Sequence, residues 1–311
     1  MTSRAGTLLC LASAAGFGAM AVFGKLAYEE GATVGTLLTV RFALAAVIFW
    51  GLVLATGAIG RLRSLDRRDL AIAVALGAVG YAAQAGAFFT ALDRIDASLL
   101  SLLLYTFPVI VMVAAIALGR EHADRRRVTA LTLTSAGLVL VVGGAGAGSL
   151  DGVGVALALA AAVIYSAYIL AGEGVAQRMP VILLSAIVCS AAAATLAGGS
   201  ALLGELRPAE VSAAGWGWLA CIAAVSTVAA VGLFFAGLRR VGPSTAAILS
   251  TLEPVVTVVL AFLVFGERLG PLQLAGGALV LGGVVVLNAR LARRQRPGDR
   301  SAAPEPSAAR A

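Results

Sequence analysis

The sequence predicts an all-α integral membrane protein with ten transmembrane helices in two inverted five-helix repeats. Three observations carry that prediction: ten long apolar windows, a lopsided distribution of basic charge, and a duplication that runs through most of the chain. Hydrophobic residues make up 60% of the 311 residues and charged residues 13%, where soluble domains average roughly a quarter charged. With a mean hydropathy of +0.97, the chain cannot be one large aqueous globule.

The windows span residues 5–24, 31–60, 70–92, 97–119, 128–150, 152–172, 179–204, 211–238, 241–266 and 269–289. Each supplies the roughly 20 residues a helix needs to cross a bilayer. The connections between them are too short to hold a soluble domain. Only Arg41 and Glu253 place a charge inside a window. The start Met1–Arg4 followed by an apolar run resembles a secretory signal. Cleaving it would leave an odd number of spans and break the alternation of charge, so an uncleaved first helix is the better reading.

Charge sets the orientation. With a cytoplasmic N-terminus and alternating helices, eighteen basic residues fall on the cytoplasmic side, among them Arg61, Arg67, Arg125, Arg178 and Arg240. Only Lys25, Arg94, Arg207 and Arg268 fall on the other side. That excess is the positive-inside signal, and it places both termini in the cytoplasm of a bacterial inner membrane. The net charge of +7 therefore reports topology, and no nucleic-acid partner is expected.

The duplication is direct. Residues 79–140 slid by 146 positions fall on 225–286 without a gap. Scarce residues then coincide: Phe88 and Phe89 with Phe234 and Phe235, Arg94 with Arg240, Pro108 with Pro254, Glu121 with Glu267, and Gly137 with Gly283. Matches such as Val79 with Val225 weigh less in so apolar a chain. The first and sixth windows correspond more loosely at an offset of 148, with Gly6, Phe17 and Gly24 facing Gly154, Tyr165 and Gly172. A Gly-rich run at Gly143–Asp151 marks the boundary. The units are therefore 1–146 and 147–290, with 291–311, rich in Pro and Arg, as a disordered cytoplasmic tail. Because each unit holds an odd number of helices, the second enters the membrane from the opposite side. Such duplication is the usual construction of a secondary transporter, with the substrate site where the repeats meet.

Several residues could carry transport. Pro108 and Pro254 lie about ten residues into their windows, roughly 15 Å deep at helical rise. Each removes a backbone donor and frees a carbonyl near Leu104 or Ser250, which gives either a hinge or a static kink. Glu253 is an intramembrane carboxylate, costly unless protonated, paired or hydrated, and it therefore faces the protein interior. Arg41 lies about seven residues into the second helix, deep enough to pair with a carboxylate or attract an anionic substrate group. Lys25 ends the first helix, where snorkelling to the interface suffices. Tyr81 and Gln84 on the third helix, Tyr105 and Thr106 on the fourth, and Tyr165 and Tyr168 on the sixth put polar atoms at membrane depth. They suit either a cavity for amphipathic metabolites or interhelical hydrogen bonds. Small residues such as Ala73 and Gly77, a turn apart on the third helix, permit close helix approach.

Other chemistry is not supported. His122 beside Glu121 has no second histidine for a metal site or triad, and Cys10, Cys189 and Cys221 fall within apolar windows without ligand spacing. Gly143–Gly148 lacks the Lys-Ser/Thr of a phosphate-binding loop, which disfavours an ATP-driven pump. No cofactor or metal is expected.

Taken together, the pattern resembles the drug/metabolite transporter superfamily and, within it, the EamA-like exporters. The residues that carry the resemblance are Arg41-Phe42 in the second helix, Leu252-Glu253-Pro254-Val255 in the ninth, and Gly266-Glu267-Arg268 at its end. The first repeat departs from that pattern: Phe107-Pro108-Val109 lacks the glutamate, and Gly119-Arg120-Glu121 carries an extra arginine. The resemblance implies export or exchange of small metabolites, commonly amino acids or their derivatives, by alternating access. A sugar-nucleotide or other metabolite exchanger on the same fold is the alternative, and an intramembrane enzyme a more distant one. The expected partners are a small-molecule substrate and the lipid bilayer, with a homodimer left open. The orientation is directly testable. A cysteine replacing Ala302 should resist membrane-impermeant maleimide in intact cells and react only after permeabilisation, and strong labelling from outside would reverse the topology.

Overall fold

The computed structural model describes residues 4–119, 122, 124–144 and 151–294. Among them nine helical runs are long and apolar enough to cross a membrane. They are α1 (Arg4–Glu29), α2 (Val34–Ala55), α3 (Arg67–Leu92), α4 (Ala97–Ala117), α5 (Arg125–Gly143), α6 (Gly152–Arg178), α7 (Val181–Leu202), α8 (Ala213–Val241) and α9 (Thr245–Phe265). The tenth, α10 (Pro271–Arg294), has a shorter apolar stretch, Pro271–Leu287. No strand occurs among the described residues. Large apolar side chains point outward: Val47, Val79, Val139 and Leu263 are 68–70% exposed, while Arg41 is 2% exposed. That inversion of the soluble pattern is what a lipid surroundings demands.

Local sequence explains the ends of the elements. Thr33 caps α2, Asp66 α3, Asp124 α5, Asp151 α6 and Ser212 α8, each accepting a backbone N–H of the first turn. The second apolar window ran to residue 60, but Gly57 turns left-handed (φ +69°) and closes α2, so Ala58–Ser64 becomes a short 3-10 segment. Helix α10 continues to Arg294, beyond the expected start of the tail, and residues 295–311 lie outside the described residues. So does Glu121, while its neighbour His122 is exposed.

Both repeats build the same scaffold. Helix α1 packs on α8 as α6 packs on α3, while α2 meets α7, α4 meets α9 and α5 meets α10 across the pseudo-twofold. Close approaches repeat as well. A β-carbon on Gly137 would lie 2.6 Å from the Gly276 carbonyl oxygen, and one on Gly283 would lie 2.9 Å from that of Ala130. The second contact is the first with the repeats exchanged. Likewise Gly6 lies against Arg240 and Gly154 against Arg94. Small residues let the backbones touch where lipid supplies no hydrophobic drive.

Continuous α-helix is interrupted at repeat-matched places. Leu76–Tyr81 in α3 and Ile222–Ala229 in α8 wind as π-helix, and their starts are 146 positions apart. A π-segment shifts the facing of every residue beyond it and is frequent at functional sites. Helix α4 breaks between Leu104 and Phe107, α9 at Thr251, and α1 at Ala19.

The end contacts lie at the heights that alternation requires. On the face holding Arg4, Arg178 at the end of α6 makes a bidentate pair with Asp69 at the start of α3, at 2.7 and 2.9 Å. On the far face Glu267, between α9 and α10, accepts Lys25 Nζ of α1 at 2.7 Å. The same carboxylate accepts the Ala97 and Ser98 N–H groups at 3.1 and 3.0 Å and the Ser98 hydroxyl at 2.8 Å. It thereby serves the positive N-terminus of α4 as well as a lysine. Lys25 was expected to snorkel to the interface; a preorganised carboxylate within reach holds it in an ion pair instead. Burial pushes the Glu267 carboxyl up, but the hydrogen bonds from Lys25 and Ser98 outweigh it and hold it below the ordinary value.

A depressed folded-state value stabilises above the unfolded pKa, about 4.3 for glutamate, and that stabilisation is lost as pH falls through the depressed value. Glu267→Ala should therefore cost on the order of 3 kcal/mol at neutral pH. Thermal unfolding of the detergent-solubilised protein should show the two forms converging as pH drops well below 4, and a constant gap across pH would contradict the assignment.

Candidate functional site

The two transmembrane prolines do what their position dictates. Pro108 starts the second half of α4 and Pro254 that of α9, each just after the break in its helix. With no N–H at Pro254, the Ser250 carbonyl loses its helical donor. The Tyr105 hydroxyl of the other repeat donates to it. Tyr105 sits at the break of α4, so each repeat's interruption faces the other's. The break of α1 closes the group: a β-carbon on Gly18 would lie 2.6 Å from the Glu253 carbonyl oxygen, and the Thr257 hydroxyl donates to the Gly18 carbonyl at 2.9 Å. Glu253 thus projects from a kinked segment of α9 that rests on α1 and faces α4. It is half-buried.

From Tyr105 a continuous row of rings crosses the bundle. Tyr105 meets Phe107 edge-on at 5.7 Å, Phe107 meets Tyr165 at 4.7 Å, and Tyr165 stacks on Tyr168 at 6.3 Å. Tyr168 meets Tyr81 at 5.7 Å, and Tyr81 meets Phe42 at 4.8 Å. Tyr81, Phe107, Tyr165 and Tyr168 are half-buried, so part of each ring is left uncovered by the fold. Helices α4, α6, α3 and α2 contribute in turn.

Arg41 stands at the far end of that row. Its Nε donates to the Thr227 hydroxyl at 3.0 Å, and one terminal nitrogen reaches the Tyr81 hydroxyl at a long 3.4 Å. The guanidinium carbon lies 4.9 Å from the Phe42 ring centre, 5.3 Å from Phe89 and 5.9 Å from Tyr81. Among the described residues no carboxylate lies within ion-pair distance of it, so a protein carboxylate is not its partner in this conformation. Tyr81 and Thr227 are 146 positions apart; Tyr81 ends the first π-segment and Thr227 lies within the second.

Of the residues singled out in the sequence, Glu253, Pro254, Pro108, Tyr105 and Tyr165 gather around the two helix breaks, and Tyr81 and Arg41 form the opposite pole. Gln84 is buried one turn beyond Tyr81 and makes no hydrogen bond among the described residues. Thr227 was missed. The repeat offset could have found it, because it is the counterpart of Tyr81. Phe107, read only as a departure from a motif, turns out to be the ring that joins Tyr105 to Tyr165.

One family model, the EamA-like transporter family, matches residues 4–143 and again 152–289. The chain belongs to the EamA-like transporter family. It is a multi-pass membrane transporter, and the double match agrees with the duplication in its sequence and fold. It is 27% identical to the uncharacterized transporter YcbK of Bacillus subtilis (strain 168) over 289 residues, covering 88% of this chain and 89% of that one. A solved structure, described only as the crystal structure of a protein, superposes with a TM-score of 0.65 at 20% identity, covering 94% of this chain and 99% of its own, and shares the fold.

If the breaks in α4 and α9 are where this EamA-like transporter bends, closing them should trap one conformation. Pro108→Ala and Pro254→Ala each restore a backbone hydrogen bond worth about 1 kcal/mol, enough to shift a two-state balance roughly fivefold. Transport should slow by about that factor at unchanged membrane abundance, as read by initial rates normalised to immunoblot. Wild-type rates in both variants would remove the prolines from the cycle.

Proposed function

We propose that this chain exports small organic metabolites, amino acids or their derivatives foremost, from the cytoplasm across the bacterial inner membrane. The two repeats alternate access to a site between them, with both termini cytoplasmic. The observation that carries this reading is Glu253: a lone intramembrane carboxylate, on a broken helix, at the junction of both repeats and at the head of a row of half-buried aromatic rings. An acid in that setting is a natural exchange point for a proton or a cationic substrate group. The rings and hydroxyls beside it suit an amphipathic body with few polar groups. A sugar nucleotide would bring a diphosphate into an interior whose buried cation among the described residues is Arg41. That favours the smaller substrates.

Glu253→Gln removes the charge and keeps the shape, so the variant should insert and fold like wild type. Counterflow of a radiolabelled amino-acid mixture in proteoliposomes should fall more than tenfold, which corresponds to more than about 1.4 kcal/mol, and should become insensitive to pH. Glu253→Asp should keep part of the activity. If the Gln variant runs at wild-type rates across about pH 5.5 to 8, Glu253 is a structural group. If wild type shows no counterflow of the mixture, amino acids are not its substrates.

A further inference from the structure

Arg41 has a charge that the fold does not neutralise. It is 2% exposed on α2, and its contacts are two neutral hydroxyls and three aromatic rings. Ring faces attract a cation but carry no net charge. A buried ion without a counter-ion is costly. Its geometry is also unfinished. The Thr227 hydroxyl accepts Arg41 Nε–H and donates its own proton to the Ile222 carbonyl at 3.0 Å. That bond fixes the guanidinium by its Nε edge and leaves the two terminal nitrogens at the other end. One of them has no acceptor among the described residues, and the other holds only the 3.4 Å contact to Tyr81. The Tyr81 hydroxyl accepts there, so its own proton has no acceptor among those residues either.

Two parallel guanidinium N–H groups flanked by a hydroxyl donor match a planar carboxylate, which Arg binds as a fork. We propose that Arg41 and Tyr81 receive the carboxylate of the transported molecule, so that the substrates of this chain are small organic monocarboxylates. The body of the substrate then lies along the open surfaces of Tyr168 and Tyr165, on the side leading to Glu253. A molecule that also bears an amine can reach that carboxyl, and a plain aromatic or aliphatic acid binds at the Arg41 end alone. This assignment rests on the reading of the bundle interior as the substrate site. It adds that recognition begins with an anion, and that Thr227 of one repeat and Tyr81 of the other hold the receiving group between two π-segments.

The test uses purified full-length protein and ligand pairs that differ only in the carboxylate: phenylalanine with phenylalaninamide, and benzoate with benzamide, alongside a panel of other amino and hydroxy acids with their amides. Thermal stabilisation of wild type by at least one acid and not by its amide is expected. Arg41→Gln should weaken that response at least tenfold, the scale of a lost charged hydrogen bond. Arg41→Lys, which keeps the charge but not the fork, covers the case in which the Gln variant does not fold, and should retain an intermediate response. Amides stabilising wild type as well as acids, or no acid acting at all, overturns the proposal, as does an unchanged preference for acids in both Arg41 variants. Export itself is read separately, from metabolites inside and outside cells with and without the chain. A carboxylate-independent exporter would thus sink the Arg41 assignment and leave the transport reading standing.

Discussion

In hydrocarbon every backbone carbonyl needs a donor, and the Ser250 carbonyl has lost its own to Pro254. An orphaned carbonyl at that depth costs several kcal/mol, and the Tyr105 hydroxyl that supplies the missing bond comes from the opposite repeat. Much of the interior follows from that single repair. It draws the break of α4 to the break of α9, brings Tyr105 beside Glu253, and seats α9 on the glycine at the break of α1. Helices free of proline would satisfy themselves and could stand apart. Here the interruptions make the repeats complete each other's hydrogen bonding.

The scaffold is symmetric and its chemistry is not. Phe107 occupies in the first repeat the place that Glu253 holds in the second. At offset 148 Gly18 corresponds to Ser166, and Ser166 donates to the Phe107 carbonyl at 3.2 Å just as Gly18 packs on that of Glu253. Tyr81 corresponds to Thr227, and α2 carries Arg41 where its counterpart α7 has no charge in Val181–Leu202. One repeat therefore supplies the acid and the other the cation and most of the rings. An inverted pair of identical halves would present the same groups to both sides of the membrane. Divergence at Phe107 and Glu253, at Tyr81 and Thr227, and at Arg41 gives the interior an acidic and a basic end, while the packing that relates the halves is kept.

The surfaces at either end are tied differently. On the face of the N-terminus the bidentate Arg178–Asp69 pair joins α6 to α3 with Arg178 half in solvent, where salt can screen it. On the far face Glu267 is 6% exposed and gathers a lysine and the start of α4 in one carboxylate. Glu30 accepts the Ser212 hydroxyl nearby, and the Thr33 hydroxyl donates to the Glu205 carbonyl. Of the two ion pairs, the one on the far face holds its carboxylate the more deeply buried.

The sequence alone determined the helices and the pairing of the halves, because both follow from properties additive along the chain: apolar length and residue identity at a fixed offset. It also located Pro108, Pro254, Glu253 and Arg41, since a proline or a charge inside an apolar window is conspicuous without any neighbour. Val79 and Val225, a match that added little to the repeat signal, are both exposed, where any apolar side chain serves. What the tertiary structure decided was partnership. Lys25 could have reached the interface, but Glu267 waits beside it. Arg41 could have met a carboxylate, yet its surroundings are rings and hydroxyls. Thr227 carried no signal of its own, because a hydroxyl becomes a ligand for a guanidinium only when a π-segment turns it toward one. Hydrogen bonds and ion pairs depend on distances of a few tenths of an ångström between residues more than a hundred positions apart, and only the packed bundle sets those.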